Sequence, residues 1–258
     1  MLEISKMSVS YGQRTVLSSI SCTFPDNAIT ALIGPNGCGK STLLKAALGL
    51  VPKSHGSARY QGENIDSLSR KDIAARIAYL PQESYCPEYM LLGDLIEMAS
   101  FARQSMLRGP SKHDRCLFHS ALKTVGLESE AHRRLSTLSG GQKQRAWIAL
   151  VLAQDAHCIL LDEPVNHLDV HFQYSILTLL KTLSRHGKMI ITVLHDLNLA
   201  ASFADHVMLL KEGVILGFGP TASTLTPEKI KRVFDIDADV FLRNQRLICL
   251  PQLQAIHA

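Results

Sequence analysis

The chain has 258 residues, of which 46% are hydrophobic and 19% charged, with a formal net charge of +4; this is a globular composition with enough apolar mass for a real core. The Lys and Arg residues are dispersed and the charge is too weak for a nucleic-acid binder, but it suits an acidic ligand or an anionic membrane surface. The 6 cysteines (Cys22, Cys38, Cys86, Cys116, Cys158, Cys249) show no CxxC spacing, the N-terminus lacks the pattern of a signal peptide, and no apolar run approaches the roughly 20 residues that cross a bilayer, so a membrane role would come through a partner.

Residues 2–24 read as short strands, Leu2/Ile4, Val9/Tyr11, Val16/Leu17 and Ile20/Cys22/Phe24, with turns at Gly12 and Pro25-Asp26-Asn27. Ala28–Ile33 is a dense apolar strand running into a glycine-rich loop, and a helix follows from about Lys40 with Leu43, Leu44, Ala47 and Leu48 on one face. Ser69 and Asp72 form a capping box for a short helix, and a strand at Ile77–Leu80 leads to Pro81-Gln82. From Glu83 to Gln154 the pattern turns helical: Leu91–Ala102, Ser111–Val125 with its Ser111/Asp114 capping box, and a third helix from Ser139. The stretch 83–154 therefore reads as a helical subdomain inserted into an α/β core made of 1–82 and 155–258.

The core resumes with the apolar strand Cys158–Leu161, a helix over about Val170–Ser184 and a strand at Met189–Leu194. A hairpin, His206–Leu210 with Val214–Phe218, turns at Glu212-Gly213; Thr226-Pro227-Glu228 starts another helix, and the tail beyond Phe234 reads as a strand or two. Strands alternating with helices predict a mainly parallel sheet covered on both faces, preceded by an antiparallel β part at the N-terminus.

Gly34-Pro35-Asn36-Gly37-Cys38-Gly39-Lys40-Ser41-Thr42 fits GxxxxGK[ST], with an apolar strand before it and a helix after it. Glycines let the backbone wrap a polyphosphate with its N–H groups inward, the helix N-terminus adds partial positive charge, Lys40 brings a full charge to the β/γ-phosphates, and the Ser41 hydroxyl suits Mg²⁺. By itself the loop is equally compatible with a kinase or a GTPase. The helix terminus and the Lys40 charge also predict that the Cys38 thiol, inside the loop, favours its thiolate, its alternative being a small apolar group packed against the sheet.

Asp162 and Glu163 end the strand Cys158–Leu161. In a phosphate-loop protein the first acid orients Mg²⁺ and its waters, and the second polarises the attacking water. His195 ends the next apolar strand, expected beside the Asp162 strand, and parallel strands deliver their C-terminal ends to one crevice. Gln82 also ends a strand; an amide there would bind Mg²⁺ or water.

With Leu138-Ser139-Gly140-Gly141-Gln142 added, the chain resembles the ABC ATPases: GPNGCGKST, Gln82, LSGGQ, ILLDEP, NHLD (Asn166–Asp169) and His195 occur in that family's order across essentially the whole chain. The resemblance implies a P-loop NTPase core, ATP and Mg²⁺ as ligands, and a homodimer that sandwiches two ATP molecules head to tail. Ser139, Gly140, Gly141 and Gln142 would cap the γ-phosphate held by the other protomer, Asp169 would lie at the shared interface, and Tyr11 would stack on adenine, its alternative being a strand tyrosine facing the core. The segments His195-Asp-Leu-Asn-Leu-Ala-Ala, Leu209-Leu-Lys-Glu-Gly, Leu225-Thr-Pro-Glu, Arg145-Ala-Trp-Ile-Ala and Val151-Leu-Ala-Gln are similar to those of importer ATPases for ferric siderophores, haem and cobalamin, the siderophore members foremost. That implies a peripheral subunit on the cytoplasmic face of the membrane, working with a polytopic permease and, indirectly, a substrate-binding protein. An exporter subunit or a soluble non-transport ATPase are the alternatives. Val165 departs from the Thr or Ser that many members carry there.

Overall fold

The computed structural model describes residues 1–82, 85, 87, 89–104, 109–166, 168–244 and 246–252; Glu83, Cys86 and His167 of the sequence reading lie outside them. In chain order the elements are β1 (Leu2–Tyr11), β2 (Arg14–Phe24), β3 (Ile29–Ile33), α1 (Lys40–Ala47), β4 (His55–Tyr60), β5 (Glu63–Asn64), α2 (Arg70–Arg76), β6 (Ile77–Leu80), α3 (Leu92–Glu97), α4 (Lys112–Thr124), α5 (Gly140–Ala153) and β7 (Cys158–Leu161). They continue with α6 (Val170–Arg185), β8 (Met189–Val193), α7 (Leu197–Phe203), β9 (His206–Lys211), β10 (Val214–Pro220), α8 (Thr221–Thr224), α9 (Pro227–Phe234), β11 (Ala238–Arg243) and β12 (Arg246–Pro251). Among the described residues no helix is long and apolar enough to cross a membrane.

The chain forms two compact units, one of Met1–Ser67 with Leu177–Ala258 and one of Leu68–Ile176. The second has wider bounds than the 83–154 stretch set off by sequence character, and it includes β6 and β7.

In the first unit β3 lies between β8 and β9, parallel to both, with Leu32 opposite Val193 and Ile33 opposite Leu209. β10 returns antiparallel on β9. Every residue of β3 and β8 is buried, which is why both read as apolar runs, interrupted only by Thr30 and Thr192, rather than as alternating ones. Burying each large side chain there contributes about 1.5–3 kcal/mol.

The same unit carries a separate antiparallel sheet in the order β2-β1-β4-β5. The expected antiparallel part is present, but two features of it were not legible. β1 is one continuous strand with a bulge, because Lys6 sits at φ 46 and shifts the buried set from Leu2 and Ile4 to Met7 and Val9. A period-2 reading breaks at that extra residue. β4 and β5 are too short and polar to register as strands; β4 owes its conformation to pairing with β1, and β5 to pairing with β4.

In the second unit β6 runs parallel to β7, with Leu80 opposite Leu161. The helix expected over Leu91–Ala102 is shorter: α3 ends at Glu97 and continues as a 3₁₀ turn over Met98–Ser100. α4 begins with the expected capping box, in which Ser111 Oγ accepts from Asp114 N–H and the Asp114 carboxylate accepts from Ser111 N–H at 2.9 Å. Arg103 adds Nε and Nη2 to the same carboxylate at 3.0 and 2.7 Å and reaches Ala153 O at the end of α5. Burial raises the Asp114 carboxyl, but these bonds from Ser111 and Arg103 outweigh it and hold the group below its ordinary range.

Gly56 faces the bulge of β1 at φ +83, where a Cβ would stand 2.4 Å from the carbonyl oxygens of Ser5 and Lys6; Gly62 has the same φ of +83 and open space. Gly62→Ala should therefore lose only about 1–2 kcal/mol, the backbone strain, whereas Gly56→Ala should lose about 3 kcal/mol or more because backbone must move. Urea unfolding of the two variants measures the difference.

Candidate functional site

β3 hands its C-terminal end to the loop Gly34–Gly39, and α1 begins at Lys40. Two glycines are demanded by close approach. A Cβ on Gly34 would stand 2.0 Å from Leu210 O, and one on Gly39, at φ +107, would stand 2.7 Å from Leu17 Cδ2. Gly37 needs its φ of +74 for the turn itself. The loop is latched from below by the β9–β10 turn, where Gly213 N–H donates to Cys38 O at 3.0 Å.

Lys40 is only 5% exposed. Its ammonium donates to Gly34 O at 2.7 Å and Pro35 O at 2.9 Å, so a buried charge is compensated by the loop's own carbonyls. Ser41 and Thr42 are half-buried in the first turn of α1, and Pro35, Asn36 and Gly37 form the accessible rim. A pocket of ≈ 490 Å³ lies against this rim, lined among others by Val16, Asn36, Gly37, Lys211 and Asp235. Tyr11, at the end of β1, is 49% exposed, so it does not face the core.

In the same unit the parallel register brings His195 to this end of the sheet. Leu194 N–H donates to Leu32 O at 3.2 Å, which places His195 level with the start of the phosphate loop. His195 is exposed, and Asp196 next to it caps α7 by accepting from Asn198 and Leu199 N–H at 2.6 and 3.0 Å.

The second unit holds the acids. Asp162 is fully buried and its N–H donates to Leu80 O at 2.9 Å, extending the β6–β7 ladder by one bond. Gln82, beyond β6, donates Nε2 to Glu163 Oε2 at 2.9 Å. Glu163 has φ +57, a left-handed backbone that is strained for a residue with a Cβ. Asn166 donates to the same Oε2, and its backbone N–H reaches Glu163 O at 3.3 Å. Asp169 caps α6, accepting from Phe172 N–H at 3.0 Å.

Ser139 and Gln142 form a reciprocal capping box at the start of α5: Gln142 N–H to Ser139 Oγ at 3.2 Å and Ser139 N–H to Gln142 Oε1 at 2.9 Å. Gly140 and Gly141 are different. A Cβ on Gly140 would meet nothing within 4 Å, and one on Gly141 would make only ordinary contact with Leu168. Each costs a helix up to about 1 kcal/mol relative to Ala, and among the described residues no neighbouring atom stands close enough to demand either glycine.

The model of the ABC transporter family matches residues 17–166. The iron(3+)-hydroxamate import ATP-binding protein FhuC of Bacillus subtilis (strain 168) is 39% identical over 253 residues, 96% of this chain and 94% of that protein. This chain belongs to the ABC transporter family. Within it the chain is an ATP-binding subunit, an ABC ATPase. The ferric enterobactin transport ATP-binding protein FepC of Escherichia coli (strain K12) is 38% identical, covering 90% of this chain and 86% of that protein. The dimeric structure of MJ0796, a bacterial ABC transporter cassette, superposes with a TM-score of 0.78 at 25% identity over 86% of this chain and 99% of that one.

Three features of this ABC ATPase escaped the sequence reading. Asn166 stood in the quoted NHLD run with no role. Gln144 Nε2 donates to Pro164 O at 2.9 Å, and the Arg145 guanidinium donates to Val125 O at 2.7 Å while lying 4.1 Å from the Phe172 ring centroid. Their only signal was position, one turn beyond the LSGGQ segment on a helix that must face the acid-bearing turn. Val165 is 4% exposed; an apolar side chain suits that interior place.

The expectation for Cys38 is corrected. Cys38 is 4% exposed, and burial pushes its thiol up, outweighing the nearby Lys40 charge and the hydrogen bonds from Lys40. Its Sγ packs where a Gly34 Cβ would stand at 2.8 Å, so it behaves as a small apolar group. Maleimide treatment of the native protein should label exposed Cys116 and leave Cys38 unlabelled, with or without Mg-ATP. Peptide mapping checks this; a labelled Cys38 peptide from nucleotide-free protein would restore the thiolate.

Proposed function

We propose that this ABC ATPase powers the import of an iron chelate, a ferric siderophore ahead of haem or cobalamin. The single observation that carries this reading is 39% identity along 96% of the chain to an iron(3+)-hydroxamate import subunit. In this reading two copies form a two-fold dimer on the cytoplasmic face of the membrane, beneath a polytopic permease that receives its solute from a substrate-binding protein. The MJ0796 cassette, solved as a dimer, supports the two-fold arrangement.

Tyr11 stacks on the adenine of ATP. The backbone N–H groups of Gly34–Thr42 and the Lys40 ammonium hold the β- and γ-phosphates, for which the ammonium leaves its carbonyl partners. Ser139, Gly140, Gly141 and Gln142 of one copy close on the γ-phosphate held by the other; the two bare glycines at the α5 N-terminus allow that approach. Glu163 takes the proton of the water whose oxygen attacks the γ-phosphorus as the bond to the ADP oxygen breaks. His195 donates to the γ-phosphate, and Asp169 lies at the dimer interface.

Ser41, Asp162 and Gln82 supply a hydroxyl, a carboxylate and an amide oxygen, all hard oxygen donors of the kind Mg²⁺ takes together with phosphate oxygens. Gln82 gives its Nε2 to Glu163 in this structure and would turn its amide away from that carboxylate to take up that role. Mg²⁺ held with ATP would neutralise charge developing on the phosphates.

Ser139 should act in trans. Mixing Ser139→Arg chains with Lys40→Ala chains, each inactive alone, should restore part of the ATPase activity, since one composite site per heterodimer is intact. Cross-linked heterodimers that remain inactive would count against the shared site.

In a cell, deleting this subunit should impair growth on at least one of ferric siderophore, haem or cobalamin as the sole supply. Unchanged uptake of all three in a strain without a redundant importer would remove the substrate assignment and leave the ATPase in place.

A further inference from the structure

We infer that Asn166 is a positioning residue for the Glu163 carboxylate, an assignment that rests on the ATPase reading of Glu163 proposed above. Glu163 leaves β7 in the left-handed region, at φ +57. A backbone so placed is held by its surroundings rather than by its own preference. Asn166 supplies two of the holding contacts at once. Its backbone N–H closes the turn on Glu163 O at 3.3 Å, and its side-chain amide donates to Glu163 Oε2. One residue thus fixes both the main chain and the side chain of the acid.

Gln82 shares that oxygen, at 2.9 Å, but from a different element. When its amide turns to the metal and the γ-phosphate, Glu163 loses that donor. Asn166 cannot leave in the same way, because its two bonds belong to one short turn. The turn is itself anchored: Gln144 on α5 donates to Pro164 O at 2.9 Å, Val165 is buried, and Asp169 beyond it caps α6. Asn166 is therefore a contact that keeps the carboxylate aimed while Gln82 is engaged elsewhere. The position asks for a neutral donor of this length. Aspartate has the right shape but sets a second carboxylate oxygen against Oε2, and alanine removes the bond without repulsion.

The test uses the full-length chain and compares Asn166→Ala, Asn166→Asp and Glu163→Gln by steady-state ATP hydrolysis, by equilibrium ATP binding and by thermal unfolding. Glu163→Gln should bind ATP and lose roughly 10²–10⁴ in turnover. Asn166→Ala should lower kcat by roughly 10- to 100-fold, the worth of one charge-assisted hydrogen bond, with the ATP dissociation constant within about twofold of the parent. Asn166→Asp should lose more than Asn166→Ala, although it is the closer mimic in shape and the better turn former. That ordering, with KM unchanged, is what a merely structural asparagine would not produce. If both Asn166 variants keep kcat within about twofold, or if Asp retains more activity than Ala, the positioning role is overturned, while loss of turnover in Glu163→Gln leaves the base assignment intact. A Glu163→Gln chain that turns over normally overturns the base assignment itself, and this inference with it.

Discussion

Backbone pairing of β3 with β8 and β9 is the constraint on which the functional end of the first unit depends. β3 and β8 are buried throughout and the middle of β9 is too, so apart from Thr30 and Thr192 the side chains there are apolar. Most of the polar content of these strands is their peptide groups, which pair in the ladder until the strands end. The parallel register then brings three chain ends to one edge: the phosphate loop after Ile33, His195 after Leu194, and the β9–β10 turn after Lys211. N–H groups released there have no ladder partner, which makes that edge a place for an anion. In the second unit the β6–β7 pair does the same with Gln82 and Glu163, whose side chains meet because Leu80 and Leu161 are in register.

Glycines divide the site into what the fold requires and what it tolerates. Gly34 and Gly39 admit no Cβ because neighbouring atoms of the first unit occupy the space. Gly140 and Gly141 have that space and leave it empty, at the cost of helix propensity at the start of α5. The capping box of Ser139 and Gln142 offsets part of that cost. Ser139 thus has a folding role as well as its proposed ligand role, and a substitution there acts on both.

Cys38 and Lys40 show how burial alters charge. Both lie in one loop and nearly out of solvent, yet Lys40 keeps its charge compensated by Gly34 O and Pro35 O, while the thiol of Cys38 is pushed towards its neutral form. A positive neighbour is not enough to ionise a thiol when desolvation acts in the opposite sense. Glu163 presents the complementary case: an acid in a strained backbone, held by amides from two different segments.

The linear order of residues was sufficient for the phosphate loop, the helix cap at Ser69, the capping box at Ser111, the buried strands and the acid pair, because each is a local pattern whose physics acts within a few residues. The same holds for the antiparallel N-terminal part, whose alternation is visible in β1 and β2. Tertiary structure decided what depends on partners distant in sequence. β4 exists because β1 offers it an edge, and β5 because β4 does; the bulge at Lys6 exists together with the glycine at 56; the Cys38 thiol is pushed up because the chain around it excludes water. The contacts of Gln82 and Asn166 on one carboxylate oxygen arise where two strand ends and a turn converge. Hydrogen bonding and desolvation are properties of three-dimensional neighbourhoods, and a pattern of residue types along the chain specifies which groups are available for them, not which ones meet.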